Sequence, residues 1–235
     1  MRLTGFVALV VLSIAVSTYA VLTYGFFSPS AVLPPEMRAT FDAHRWGLAS
    51  HVFAAAIALA LGPFQLSARL RARRPAVHRW MGRLYLCVGV LIGGVAGLFM
   101  AVHAYGGWAA RIGFGSVALA WLYTGYRAYG RIRAGDVVAH RRWMVRNFSL
   151  TFAAVTLRLW LPVLIVAGFA FETAYPIVAW LSWIPNLLVA ELVVRRTHHA
   201  SIERIDGIGD GPARSREGAL LPVRRGSRVR ARPVP

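Results

Sequence analysis

Apolar residues run in long blocks along the chain, and polar residues gather in short clusters between them. The blocks at about 5–27, 47–67, 84–106, 112–129, 147–170 and 175–194 each match the ~17–25 residues that a helix needs to cross a hydrocarbon layer roughly 30 Å thick. Between them stand stretches such as "SPSAVLPPEMR" and "RLRARRP", where proline breaks helices and arginine resists lipid. The pattern predicts an all-α, polytopic membrane protein with six transmembrane helices. Spans two to five are expected to form a four-helix core, with spans one and six against it. The transmembrane domain covers 1–196, and from 197 to 235 the apolar periodicity stops, which reads as a disordered basic cytoplasmic tail. The first block resembles a secretion signal in having Arg2 ahead of an apolar run and small residues in "STYA". Its apolar character continues through "VLTYGFF", too long for a signal core, so a retained first span is expected.

Composition sharpens this picture. Of 235 residues, 57% are hydrophobic and the mean hydropathy is +0.53, more apolar surface than a soluble domain of this length can hide. The net charge of +18 comes from arginine alone, for the chain has no lysine. Such an excess suggests nucleic acid until the positions are mapped, and they argue for a lipid bilayer instead. Arg69, Arg71, Arg73, Arg74, Arg79 and Arg83 separate spans two and three; Arg131, Arg133, Arg141, Arg142 and Arg146 separate spans four and five; Arg195 and Arg196 follow span six. The alternate loops hold only Arg38, Arg45 and Arg111 beside Glu36, Asp42 and Glu172. The positive-inside rule therefore places both termini in the cytoplasm, as in a bacterial cytoplasmic (inner) membrane. The lone Cys87 excludes an intrachain disulfide and a cysteine-rich metal site; it reads as a small buried packing residue.

Two related phrases, "HRWMGRLYL" at 78–86 and "HRRWMVRNF" at 140–148, stand where apolar runs begin. Arginine for headgroups and Trp80 or Trp143 for the aromatic belt make these phrases interfacial anchors first. Their surroundings also align: a descending span, an arginine-rich loop, the phrase, then an ascending span. Spans two and three thus relate to spans four and five as a parallel repeat.

Candidate chemistry lies in polar residues at membrane depth. Helical spacing puts His51, Ala55, Ala58, Gly62 and Gln65 on one stripe of span two, and Asn147, Thr151, Ala154, Arg158 and Pro162 on one stripe of span five; span six adds Ser182 and Asn186. Gln65, Asn147, Thr151, Ser182 and Asn186 are candidate cavity-lining residues. Arg158 lies about 11 residues into span five, roughly 16 Å deep, where an unpaired guanidinium is expensive and should face a cavity, a helix or an anion. Asn186 lies at a matching depth to receive it, and Glu191 sits nearer the cytoplasmic end. His51 and His103 share a depth on neighbouring antiparallel spans and are candidate axial ligands of a b-type haem, with Arg158 holding a propionate or a quinone oxygen. His78 and His140 pair likewise at the inner surface. His78 and His103, however, are 25 residues apart, roughly 37 Å along a helix, which pushes two such haems to opposite membrane edges. His44 and Asp42 could join His51 and His103 in a zinc or copper site, and His198 with His199 forms a weaker pair. The ladder Gly89, Gly93, Gly97 is a close-packing device, and "WLSWIPN" suggests a kinked sixth span. The glycine clusters lie inside spans, without the strand-to-helix context of a nucleotide site.

"LGPFQ", "HRWMGRLY", "HRRWMVRNFSLTFAAVTLRLWLP" and "WLSWIPNLLVAE" together resemble the bacterial membrane proteins grouped as domain of unknown function 2306, over about residues 45–192. That resemblance implies a membrane protein and no activity. Three expectations follow from the residues: a haem-binding electron-transfer protein, a permease or small-molecule binder with a polar cavity for an anionic or quinone-like molecule, or a scaffold without a ligand.

Overall fold

The computed structural model describes residues 3–27 and 34–209, with side chains placed through Thr197. The described residues contain helices and connecting turns and no strand. Helix α1, Leu3–Phe26, is followed by the short α2, Pro35–Ala43, and by α3, Arg45–Leu66. After α4, Ala68–Arg73, whose first turn is capped by the Ser67 hydroxyl accepting the Leu70 N–H at 3.2 Å, comes α5, Pro75–Arg83. It runs on as a π-helical segment, Leu84–Ile92, and as α6, Gly93–Val102. Helix α7, Gly107–Arg133, and α8, Val137–Thr151, complete the middle of the bundle. The last elements are α9, Ala153–Val166, α10, Phe171–Leu181, and α11, Ile184–Gly209.

Among the described residues, five helical runs are long and apolar enough to cross a membrane: Leu3–Phe26, Arg45–Leu66, Pro75–Val102, Val137–Val166 and Phe171–Thr197. Helix α7 has the length, 27 residues, but falls outside that group. Its buried positions are Ala110, Gly113, Ala118, Trp121, Thr124, Gly125 and Ala128, small or polar-tipped side chains chosen for close approach to other helices. Protein contact replaces the bulk hydrophobicity that a lipid-facing helix needs. The final helix continues to Gly209, beyond the 194 at which apolarity ends. Residues 210–235 of the expected tail, and the side chains of His198 and His199, lie outside the described residues.

The glycine ladder has a specific counterpart. A Cβ on Gly89 would lie 2.6 Å from Ala58 Cβ, one on Gly93 3.3 Å from Ala54 Cβ, and one on Gly97 2.7 Å from the His51 ring. The ladder of the third span therefore packs onto the stripe of the second, and a Cβ on Gly62 would meet the Phe148 ring. Neighbouring helices thus occupy the space beside Ala58 and Gly62 of that stripe. The π-helical turn sets the ladder's register, burying Tyr85, Gly89 and Val90 on one side. Tyr85 and Val90 join Ala58, Trp121, Ala128, Met144 and Leu150 in one apolar cluster contributed by α3, the π segment, α7 and α8.

Outward-facing side chains fit a lipid environment. Trp46, Trp80 and Trp108 are 70–76% exposed, each beneath an arginine of its own turn, Arg45, Arg83 and Arg111, at 5.3–5.7 Å. Trp143 departs from the expected belt role: it is half-buried, between Arg127 at 4.8 Å and Arg146 at 4.9 Å, with Tyr123 edge-on. Cys87 is exposed rather than buried among packing residues. It lies on the far side of the π segment from Tyr85 and Gly89.

The runs Val137–Val166 and Phe171–Thr197 are both interrupted. Helix α8 gives way to α9 at Phe152, and α10 to α11 at Ser182 and Trp183, where Pro185 supplies no N–H. The two interruptions are stitched together by side chains: Thr156 Oγ1 bonds to the Ser182 carbonyl, and Asn186 Nδ2 donates to Thr156 Oγ1 at 3.0 Å, to the Ser182 carbonyl at 3.0 Å and to the Ser149 carbonyl at 3.3 Å. Broken helices persist in a membrane only where such partners take up the freed backbone groups.

Candidate functional site

A cavity of about 670 Å³ opens among α1, α2, α3, α6, α7, α8, α9 and α10. Its walls are mostly apolar and aromatic, with Tyr19 and Tyr24 from α1, Phe41 from α2, Phe114 and Trp121 from α7, and Phe171 and Tyr175 from α10. Tyr175 is held in place by stacking on Phe171 at 5.4 Å and by Phe114 at 5.3 Å. Into this lining project His51, Thr151, Ser182 and Arg158.

His51 is oriented by its Nδ1, 2.8 Å from the Gly93 carbonyl oxygen. A carbonyl can only accept, so Nδ1 carries the proton in the neutral ring and Nε2 is left as an acceptor. Gly97, beneath the same ring, is the position where a side chain would collide with it. Arg158 donates from Nη1 to the Ala154 carbonyl at 2.8 Å, one turn back on its own helix, and lies 5.7 Å from the Tyr19 ring centroid. Tyr24 and His51 are within its electrostatic reach. No carboxylate lies within ion-pairing distance of Arg158 among the described residues. Arg158 is one of the residues lining the cavity. The guanidinium stands eight residues from the end of α9, about 12 Å along the axis, so it shares the half of the bundle that holds His51.

The partners expected for Arg158 are engaged elsewhere. Glu191 takes a bidentate pair from Arg146, at 2.8 and 3.1 Å, and Asn186 serves the helix interruption. Asn147 does not line the cavity. It is fully buried and accepts from the Tyr85 hydroxyl at 2.7 Å, while its amide donates to Thr124 Oγ1 and to the Trp121 carbonyl, both at 2.8 Å. Thr151 belongs to the same network, receiving the Trp121 indole N–H at 2.8 Å and standing 2.8 Å from the Tyr85 hydroxyl, yet it also reaches the cavity wall. Tyr85, Trp121 and Thr124 give no sign of this role in the sequence, because tyrosine and tryptophan in an apolar run read as core or belt.

The histidines divide into separate places. His103 lies at the end of α6, its ring 3.9 Å from that of His44 and its Nδ1 3.0 Å from the Phe99 carbonyl. His44 precedes His51 by seven residues, roughly 10 Å of helix, and His103 does not line the cavity that holds His51. The paired axial set expected from His51 and His103 is therefore not brought together. No group of three or more His, Cys, Asp or Glu suited to a metal ion occurs among the described residues, so Asp42 and His44 do not complete the zinc or copper site. Gln65, His78 and His140 are also absent from the cavity wall. They lie at the opposite end of the bundle, around the start of α5 and of α8.

Residues 48–194 match the family model described as predicted membrane protein (DUF2306). The chain belongs to that family. The match takes in the cavity's His51 and Arg158, both interrupted spans and both histidine-arginine-tryptophan phrases, so all of these lie within the family's own domain. No curated protein and no solved structure shows a significant match.

Proposed function

We propose that this family member holds, or passes, an amphipathic small molecule whose anionic or strongly accepting oxygen is taken by Arg158 and whose apolar body fills the cavity. It does so as a six-span protein, α7 included, of a bacterial cytoplasmic membrane, with both termini on the arginine-rich cytoplasmic side. The observation that carries this reading is a guanidinium with no carboxylate partner among the described residues, lining a cavity large enough for a ligand. A charge at that depth needs a counter-group, and apolar pockets with a few convergent polar atoms are the usual form of small-molecule sites. His51 Nε2 adds an acceptor beside that donor, suiting a molecule that offers a hydroxyl next to its charged end.

Equilibrium dialysis of the detergent-purified protein with decanoate and with decanol tests the reading. Decanoate is expected to bind at least about tenfold tighter, the worth of one charge-assisted hydrogen bond, and Arg158→Gln to erase that preference. Equal binding of both probes, unmoved by the substitution, would sink it. Expressed with ample haem, the protein is expected to show no Soret band. A band abolished by His51→Ala and retained in His103→Ala would replace this reading with a haem held from one side.

A further inference from the structure

The two histidine-arginine-tryptophan phrases converge at the end of the bundle away from the cavity. His78 is the fourth residue of α5 and His140 the fourth residue of α8, and Arg71, Arg79, His140 and Arg141 stand within electrostatic reach of the His78 ring. His140 is turned by its Nδ1, 2.8 Å from the Ala128 carbonyl. His78 Nδ1 is buried with no hydrogen-bond partner. Gln65, only 6% exposed, has its Nε2 in the same condition, and its Oε1 would lie 3.3 Å from a Cβ on Gly82, one turn beyond His78 on the same face of α5. Arg71 closes the group by donating from Nη1 to the Gln65 backbone carbonyl at 3.1 Å.

Donors outnumber acceptors here. Neither Arg71, Arg79 nor Arg141 makes an ion pair among the described residues. The carboxylate next along the chain, Asp136, caps α8 through the Ala139 N–H at 2.9 Å and faces Arg131 at 3.7 Å. Burial, and secondarily the Arg141 charge, hold the Arg71 guanidinium below its ordinary value. That environment favours a bound anion. An orphaned amide N–H and an orphaned imidazole nitrogen, both nearly sealed from water, each require a partner. Cations from three chain segments, together with the Gln65 amide N–H, suit an oxyanion that accepts from several directions at once.

We propose that Gln65, Arg71, His78, His140 and Arg141 form a binding site for a phosphate group at the end of the bundle where α5 and α8 begin. The group comes from a lipid phosphodiester or from free phosphate; both present the same oxygens, and basic pockets between helix ends at the cytoplasmic surface are where headgroups collect. The site stands apart from the cavity, so its failure leaves the Arg158 reading untouched.

Native mass spectrometry of the delipidated full-length protein tests it with two probes, inorganic phosphate and dioleoylphosphatidylglycerol, and dioleoylglycerol as the phosphate-free comparison. Binding of phosphatidylglycerol without inorganic phosphate identifies a lipid source; binding of both identifies the free anion. In either case Arg71→Gln and the near-isosteric Gln65→Leu are expected to weaken binding about tenfold or more, and Arg131→Gln, an exposed arginine of the same surface, by less than about twofold. Arg71→Lys is expected to recover part of the loss, which separates lost recognition from lost folding. Binding of neither probe, equal binding of dioleoylglycerol, or an Arg131→Gln loss equal to that of Arg71→Gln would overturn the site.

Discussion

Around Asn147 every polar group finds its partner inside the protein, whereas about three turns further along the same helical run Arg158 lines a cavity and has no carboxylate partner among the described residues. Both groups sit in surroundings where an unmet hydrogen bond is costly. The Asn147 network spends its polarity on Tyr85, Thr124, Trp121 and Thr151, so it joins α7, α8 and the π segment and leaves nothing over. Arg158 spends one N–H on its own helix. Depth alone therefore does not separate architecture from function. The count of unused donors does.

The comparison can be broken at several points. The largest effect is expected at the packing that both regions depend on: Gly89→Val places carbon 2.6 Å from Ala58 Cβ and 3.0 Å from its Cα, forcing α3 from the π segment. A loss of about 3 kcal/mol would show as aggregation on size-exclusion chromatography. Asn147→Leu comes next. It removes the acceptor of the Tyr85 hydroxyl and the amide that donates to Thr124 Oγ1 and the Trp121 carbonyl, and should lower stability by roughly 2 kcal/mol in an SDS unfolding titration, while decanoate binding stays intact; unchanged stability would show that the network is dispensable. A smaller loss, about 1 kcal/mol, is expected for Arg146→Gln, because its pair with Glu191 is partly exposed at 19% and 33%. Arg158→Gln should cost nothing and raise stability by about 0.5 kcal/mol, since it removes an uncompensated charge. A clear destabilisation there would recast the arginine as a packing residue.

Much of the fold was legible because lipid imposes a simple code. Block length marked the helices, and arginine at 69–83 and 131–146 marked one shared surface. Arg158 was legible as an inward residue for the same reason, and His51 shares its cavity. What the stripes could not show was which neighbour fills each gap. Gln65 and Asn147 are polar residues on the expected faces, but the helix partners of those faces depend on the register set by the π-helical turn at Leu84–Ile92, which leaves no mark in hydrophobic periodicity. Asn186 was misplaced as a partner of Arg158 because two adjacent interruptions, at Phe152 and Ser182, created carbonyls that needed its amide more. The pairing of His103 with His44 turned on the end of α6, a detail of one residue in helix termination.

Thr151 has a foot in each region, with its hydroxyl fixed by Tyr85 and Trp121 while its surface forms part of the cavity wall. One flank of the pocket is consequently a rigid template whose ordering was completed when the chain folded, so a guest that rests against it loses little further entropy to induced fit. Differences in guest size must then be absorbed by the parts of the lining outside this network, and selectivity by shape will reside there.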